Sequence, residues 1–285
     1  MSERISVRKT FKLYVGGAFP RSESGRTYEV TDAKGGFVAN AARASRKDAR
    51  DAVVAARKAQ AGWAGRTGYN RGQILYRVAE MLEGRYAQFV DELRTTGVTK
   101  QAAAAEVDAA IDRWVWYAGW ADKLAQVRGS ANPVAGPYFD FSTPEPTGVV
   151  AVLAPAGSHL LGLVSVVAPV IVTGNTAVVV AAERGACPAI TLAEVLATSD
   201  LPGGVVNLLT GHPPEIAPWL ASHMDVNAVD LTGADPETAA DLERSAADNL
   251  KRVLRPAAPD WHADPGTRRM TTFLETKTVW HPVGI

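Results

Sequence analysis

A single cysteine, Cys187, in 285 residues leaves no internal disulfide to form. A reducing compartment, the cytoplasm, is the expected setting. Excess charge is missing too: 30 Lys and Arg offset 30 Asp and Glu, for a formal net charge of zero. A neutral chain gives no electrostatic footprint for nucleic acid or acidic lipid, so neither is expected as a partner. No apolar run is long enough to span a bilayer, because the longest, Leu160 to Val172, contains Gly162, Ser165 and Pro169. The N-terminal MSERISVRKT is polar and lacks the apolar core of a signal peptide. His159, His212, His223, His262 and His281 show no ligand spacing with Cys or acidic residues, so no metal is expected. The usual Gly-rich dinucleotide fingerprint is also absent.

What is present is a repeated unit between Pro146 and Leu231. PTGVVAVLAPAG, GNTAVVVAAE, DLPGGVVNLLTG and VNAVDLTG each join a short β-branched run to a Gly- or Pro-containing turn. Segments of helical spacing separate them. Strands are expected near 148–154, 176–181, 205–209 and 227–231, and helices near 160–172, 188–199, 214–222 and 236–250. Alternating strand and helix argue for an α/β fold with a parallel sheet covered on both faces. Ligands of such sheets sit at the carboxyl ends of the strands.

Leu13 to Val30 reads as a β-hairpin around Gly-Gly and Ser-Gly turns. Ser45, followed by Asp48, caps a helix whose apolar stripe is Ala52, Val53, Ala56, Ala59 and Trp63. Asn70 is expected to cap a second helix ending near Gly97, and a third runs from Lys100 to Val127. Trp114, Tyr117, Ala118 and Ala121 share a face of that helix, which reads as packing rather than ligand stacking. Tyr138, Phe139 and Phe141 alternate along an extended segment, read as a protruding arm or, alternatively, a connecting loop. Arg255 to Arg269 is Pro-rich and aperiodic and reads as a linker; MTTFLETKTVWHPVGI then reads as a strand.

PTGVVAVLAP, GNTAVVV, LPGGVVNLLTG and NLKRV, in that order, resemble the nucleotide-binding domain of the NAD(P)-dependent aldehyde dehydrogenase family. ETKTVW resembles the family's C-terminal strand. The resemblance implies a Rossmann-type parallel sheet with an N-terminal helical layer, an oligomerisation arm and a C-terminal strand. The corresponding division is 1–130 for the hairpin and helical layer, 131–147 for the arm and 148–254 for the sheet domain. Residues 255–269 form a linker where the family has its catalytic domain, and 270–285 form the C-terminal oligomerisation strand.

The same resemblance implies that the chemistry is missing. The family's oxyanion asparagine follows Pro-Trp; here Ala156 and Gly157 stand in the Trp and Asn places. Pro256 occupies the place of the general-base glutamate. Cys187 matches a core position rather than the nucleophile, and His159 is a new ionisable group without an assigned role, so no catalytic residue is expected. Val180 and Ala182 replace the lysine and serine that hold the adenosine ribose and its phosphate. In the pyrophosphate turn Ala234 has lost the serine hydroxyl and Thr238 replaces a glycine. Glu183, Thr232 and Gly233 remain as cofactor-binding candidates, for weak NAD(P) binding or none.

A strand without an acceptor sheet is a liability. The expectation is a catalytically inactive aldehyde dehydrogenase-like subunit that pairs with a full-length member. The contacts expected are Phe139 and Phe141 of the arm and Thr276, Thr278 and Trp280 of the C-terminal strand. Two alternatives stay open: a dehydrogenase acting through Cys187 or a shared site, and a regulatory module holding a nucleotide at Glu183.

Overall fold

A computed structural model describes residues 9–256 and 259–284. The reading of MSERISVRKT falls mostly on residues 1–8, outside the described residues, as do 257–258 of the linker and 285 of the last segment. Strands β1 (Thr10–Phe11) and β2 (Thr27–Thr31) flank β3 (Phe37–Ala42), parallel and antiparallel to it. The hairpin is therefore β2–β3, not Leu13 to Val30. Within the latter a short turn closes around Gly16 and Gly17, where Val15 and Ala18 exchange backbone hydrogen bonds and the Leu13 amide donates to the Pro20 carbonyl at 3.1 Å, and a second turn closes from the Gly25 amide to the Ser22 carbonyl at 2.9 Å. Tyr14 is drawn away because Leu208 satisfies both its amide and its carbonyl, at 2.9 and 2.7 Å.

Helix α1 (Arg46–Ala64) opens on the expected capping box: Ser45 accepts from the Lys47 and Asp48 amides while Asp48 accepts from the Ser45 amide. The start of α2 (Gly68–Glu83) differs from expectation. Its cap is Thr67, whose hydroxyl accepts from the Asn70 amide, so Asn70 lies inside the first turn. Nor does this helix reach Gly97: it ends at Gly84, and α3 (Tyr86–Thr95) follows after a non-helical Arg85. The third helix is likewise two, α4 (Lys100–Ala118) and α5 (Leu124–Arg128), separated by a turn that starts at Gly119. Trp114, Tyr117 and Ala121 are buried in the core, as the packing reading requires.

After β4 (Ser130–Asn132) and β5 (Tyr138–Pro146), the chain enters the main sheet. In order come β6 (Val149–Leu153), α6 (Leu161–Val172), β7 (Thr176–Val180), α7 (Ala186–Ala197), β8 (Val206–Leu209), α8 (Pro213–Ser222), β9 (Ala228–Asp230), α9 (Pro236–Ala247) and β10 (Arg252–Leu254). Helix α9 stops short of residue 250, where Leu250 takes a left-handed φ of 56°. The five strands are parallel in the order β10-β9-β6-β7-β8. β10 is a strand that apolar patterning alone does not mark.

Alternation along the strands sorts the core. Val149, Ala151 and Leu153 face α1, α8 and α9; Val150 and Val152 face α2, α4, α6 and α7. Both faces are covered, which is why the strands carry no polar face. Among the described residues, no helix is long and apolar enough to cross a membrane.

The C-terminal segment departs most from expectation. Residues 268–272 form a short helix, α10 (Arg268–Thr272), and the strand, β11 (Leu274–Pro282), starts only after it. Met270 and Phe273 are fully buried and anchor the turn between them. β11 is not unpaired: it lies antiparallel to β5 along its whole length, in a second sheet of order β11-β5-β4. The arm and the C-terminal strand are thus one element of a single chain. Phe139 and Phe141 stack on one face of it, with ring centroids 5.4 Å apart. Thr276, Thr278 and Trp280 lie on the other, where Trp280 meets Tyr138 at 5.7 Å and Thr278 hydrogen-bonds Ser142 at 2.8 Å. The outer edge of β11 has no strand against it among the described residues.

Candidate functional site

The strand order places β6 first, adds β7 and β8 on one side, then returns to add β9 and β10 on the other. The topological switch point therefore lies between β6 and β9, and the crevice outside their carboxyl ends is where a ligand of such a sheet sits. Two turns form its walls: Ala154 to Leu160 after β6, and Leu231 to Ala234 after β9.

In the first wall, Ala156 and Gly157 are exposed, and a Cβ built on Gly157 meets nothing within 4 Å. Space does not require glycine there. The amides at the start of α6 are occupied from within the chain. Glu106 of α4 lends one carboxylate oxygen to three donors: Ser158 Oγ at 2.8 Å, Leu160 N at 2.9 Å and Leu161 N at 3.1 Å. Ser158 Oγ in turn accepts from the Gly162 amide at 2.8 Å. The His159 ring packs against Gly185, its Nδ1 has no hydrogen-bond partner, and burial holds its pKa below the usual histidine value.

The second wall is more enclosed. Asp230, the last residue of β9, is 1% exposed. It accepts from the Thr232 amide at 3.0 Å and from the Thr232 hydroxyl. Arg269, the last residue of the segment read as a linker and the second of α10, donates Nη1 to Asp230 Oδ2 at 2.8 Å and Nη2 to Thr232 Oγ1 at 3.0 Å. Burial pushes the Asp230 carboxyl upward, while Arg269 and Thr232 pull it down. Trp261 lies over the Arg269 guanidinium at 5.3 Å, and Arg113 of α4 donates to the Trp261 and Ala263 carbonyls at 2.6 and 3.1 Å. Gly233 is held against β6: its amide donates to the Leu153 carbonyl at 2.9 Å, and a Cβ would stand 2.1 Å from the Ala154 carbonyl oxygen. At the start of α9, Asp235 accepts from the Glu237 and Thr238 amides.

Thr232 and Gly233 are thus brought together at the switch point, but the Thr232 hydroxyl is engaged on both sides. Glu183 lies elsewhere, past the end of β7, with β6 between it and the β9 turn. Its carboxylate meets His212 Nδ1 at 3.1 Å and its carbonyl accepts from the Tyr28 hydroxyl at 2.9 Å. Val180 is fully buried and supplies no polar group.

Cys187 sits in the first turn of α7, buried beside a cavity of about 240 Å³ lined also by Phe11, Val38 and Glu92. Burial, with a smaller push from Glu92, raises its pKa to about 12, so near neutral pH it is a thiol. The helix N-terminus does not offset that burial. Among the described residues, no group of three or more His, Cys, Asp or Glu is placed to hold a metal.

Sequence reasoning missed Glu106, Arg113, Asp230 and Arg269. A signal existed for two of them. Glu106 and Arg113 fall at helical spacing on the stripe Ala103, Val107, Ala110, Trp114, Tyr117, and a charge on a buried stripe needs a partner.

The aldehyde dehydrogenase family profile matches residues 19–255. The chain is 32% identical over 259 residues to a cytosolic aldehyde dehydrogenase 1 of Elephantulus edwardii, covering 87% of this chain and 50% of that protein. It is 31% identical over 251 residues to human retinal dehydrogenase 2, covering 86% of this chain and 48% of that protein. In fold it matches an aldehyde dehydrogenase of Bacillus cereus solved with NAD+, with a TM-score of 0.82 and 26% identity over 86% of this chain and 50% of that one. The HpcC protein of Thermus thermophilus matches with a TM-score of 0.81 and 30% identity, over 86% of this chain and 47% of that one. The chain spans about half the length of the curated relatives it matches.

Proposed function

From the premise that this chain belongs to the aldehyde dehydrogenase family, we propose that it is a non-catalytic member, in which a short segment joins the nucleotide-binding-type domain to the last strand of the oligomerisation sheet. In this reading it works in the cytoplasm by assembling with a full-length NAD(P)-dependent aldehyde dehydrogenase. The observation that carries the proposal is the self-satisfied switch point. Glu106 takes the donors of the first wall, Asp230 and Arg269 take Thr232 in the second, and Asp235 takes the amides of α9.

The groups left over do not fit a dinucleotide. A pyrophosphate needs free amides or cations at a helix start, and those amides already have carboxylate partners. The reaction needs a thiolate and an oxyanion donor. Cys187 is a buried neutral thiol and Gly157 has no side-chain donor.

Assembly is supported by the second sheet. Aromatic side chains lie exposed on both of its faces: Phe139 is 50% exposed and Trp280 58%. The outer edge of β11 offers backbone groups to a further strand. The partner contacts in this reading are Phe139 and Phe141 on one face, Thr276, Thr278 and Trp280 on the other, and the edge between them.

The test has two arms. The purified chain, given NAD+ or NADP+ and a range of aldehydes, should show no turnover; cofactor-dependent oxidation lost in Cys187→Ala would overturn the reading. Affinity purification from the native cell, with native mass spectrometry, should return a full-length aldehyde dehydrogenase in fixed stoichiometry. A homo-oligomer alone would refute the partner.

A further inference from the structure

We propose that the cleft between the start of α1 and the end of α8 binds a small aromatic carboxylate. It shares no lining residue with the switch-point crevice, and it stands whether or not the chain catalyses anything. The cleft encloses about 580 Å³, room for an organic molecule rather than a bare ion. Each helix lends it two side chains one turn apart. Arg46 and Arg50 come from α1, Trp219 and His223 from α8 and its cap. The floor beneath them is apolar: Ala49 and Leu220 are each 1% exposed. The backbone start of α1 plays no part, because Ser45 Oγ takes the Lys47 and Asp48 amides.

The lining selects the class of ligand. The Arg46 guanidinium stacks on the Trp219 ring at 4.0 Å and has no carboxylate partner among the described residues. Stacking fixes the plane of the fork and leaves its N–H groups free for a carboxylate. The other two cations are already balanced: Lys47 reaches Glu23 at 3.4 Å and Arg50 reaches Asp51 at 2.7 Å. One uncompensated positive charge remains, which suits a monoanion rather than a phosphate. His223 adds a neutral donor. Its Nδ1 accepts from the Asp225 amide at 3.2 Å, and burial lowers its pKa, so near neutral pH the ring carries its proton on Nε2. The apolar body of the ligand covers the Trp219 indole, 42% exposed, and the floor of Leu220 and Ala49.

The test is titration calorimetry of the full chain with naphthoate, with naphthalenemethanol as the uncharged analogue and inorganic phosphate as the bare anion. Wild type should bind naphthoate with a Kd below about 1 mM. The acid should bind roughly tenfold tighter than the alcohol, and phosphate should not displace it. Arg46→Gln and Trp219→Ala should each weaken naphthoate by roughly tenfold or more. Both side chains are exposed, and circular dichroism checks that the variants fold. Should either not fold, Arg46→Lys keeps the charge without the fork and should weaken binding by roughly threefold or more. Equal binding of acid and alcohol, unchanged affinity in the variants, displacement by phosphate, or no binding at millimolar naphthoate each overturns the proposal.

Discussion

Glu106 reaches 54 positions along the chain to accept the Leu160 amide at 2.9 Å, closing the start of α6 with a side chain from α4. The helix has no cap of its own, since Leu160 offers no side-chain acceptor. Glu106→Ala strands the Leu160 and Leu161 amides and should cost about 2–3 kcal/mol, as buried donors left unpaired do. Glu106→Gln keeps one acceptor oxygen and should cost less than half as much. Urea midpoints of the two variants check this; equal losses would show that the carboxylate's charge, not its acceptor geometry, matters.

Stability should decline on mild acidification. His159 and His223 both have pKa values held below the usual histidine value by burial. Their contribution is whole above the unfolded value of about 6.5, and is lost as pH falls through the lower folded values, because the unfolded chain takes the protons first. Glu92 acts in the opposite sense: burial raises it, so its contribution is whole below its unfolded value and fades as pH rises through the folded one. The melting temperature of His159→Gln should therefore fall less than that of wild type between about pH 7 and pH 5. Parallel curves for the two proteins would refute the role of His159.

Two glycines of the crevice should respond oppositely to substitution. Gly157 has open space around its missing Cβ, and Gly233 has the Ala154 carbonyl oxygen 2.1 Å away. Gly157→Asn should fold with a melting temperature close to wild type and, on the non-catalytic reading, gain no turnover. Gly233→Ala must push β9's turn off β6 and should lower stability by about 1–3 kcal/mol or more, as overpacking does. A tolerated Gly233→Ala would mean that the turn after β9 is not fixed to β6.

The sheet domain was legible because its signals are local. β-branched runs bounded by Gly and Pro mark β6 to β9 to within about a residue or two, and the Ser45–Asp48 box marks α1 directly. Asn70 and Thr67 are both acceptable caps, and which one acts depends on where the preceding turn ends. The arm's partner could not be read, because the pairing of β5 with β11 is set by tertiary geometry rather than by either strand's own pattern. The crevice was half legible. The departures from the family pattern expected at 157, 180 and 234 can be seen in the sequence, but the Arg269 contact with Asp230 and Thr232 cannot. Arg269 sits at the end of an aperiodic, Pro-rich stretch held by single anchors, Trp261, Met270 and Phe273, which share no period.

The β5–β11 sheet also sets an order of assembly. Its cross-strand bond from Ser142 to Thr278 joins positions 136 apart. The parallel sheet pairs its strands over shorter separations, the longest being the β6–β9 pairing of positions 78 apart, whereas this pairing closes a larger loop and gathers its entropy cost before any reward. The antiparallel sheet should thus condense after the parallel domain has collapsed, leaving a late intermediate with β5 and its aromatic rings uncovered. That interval, rather than the finished fold, is when the chain is most exposed to wrong strand partners and to aggregation.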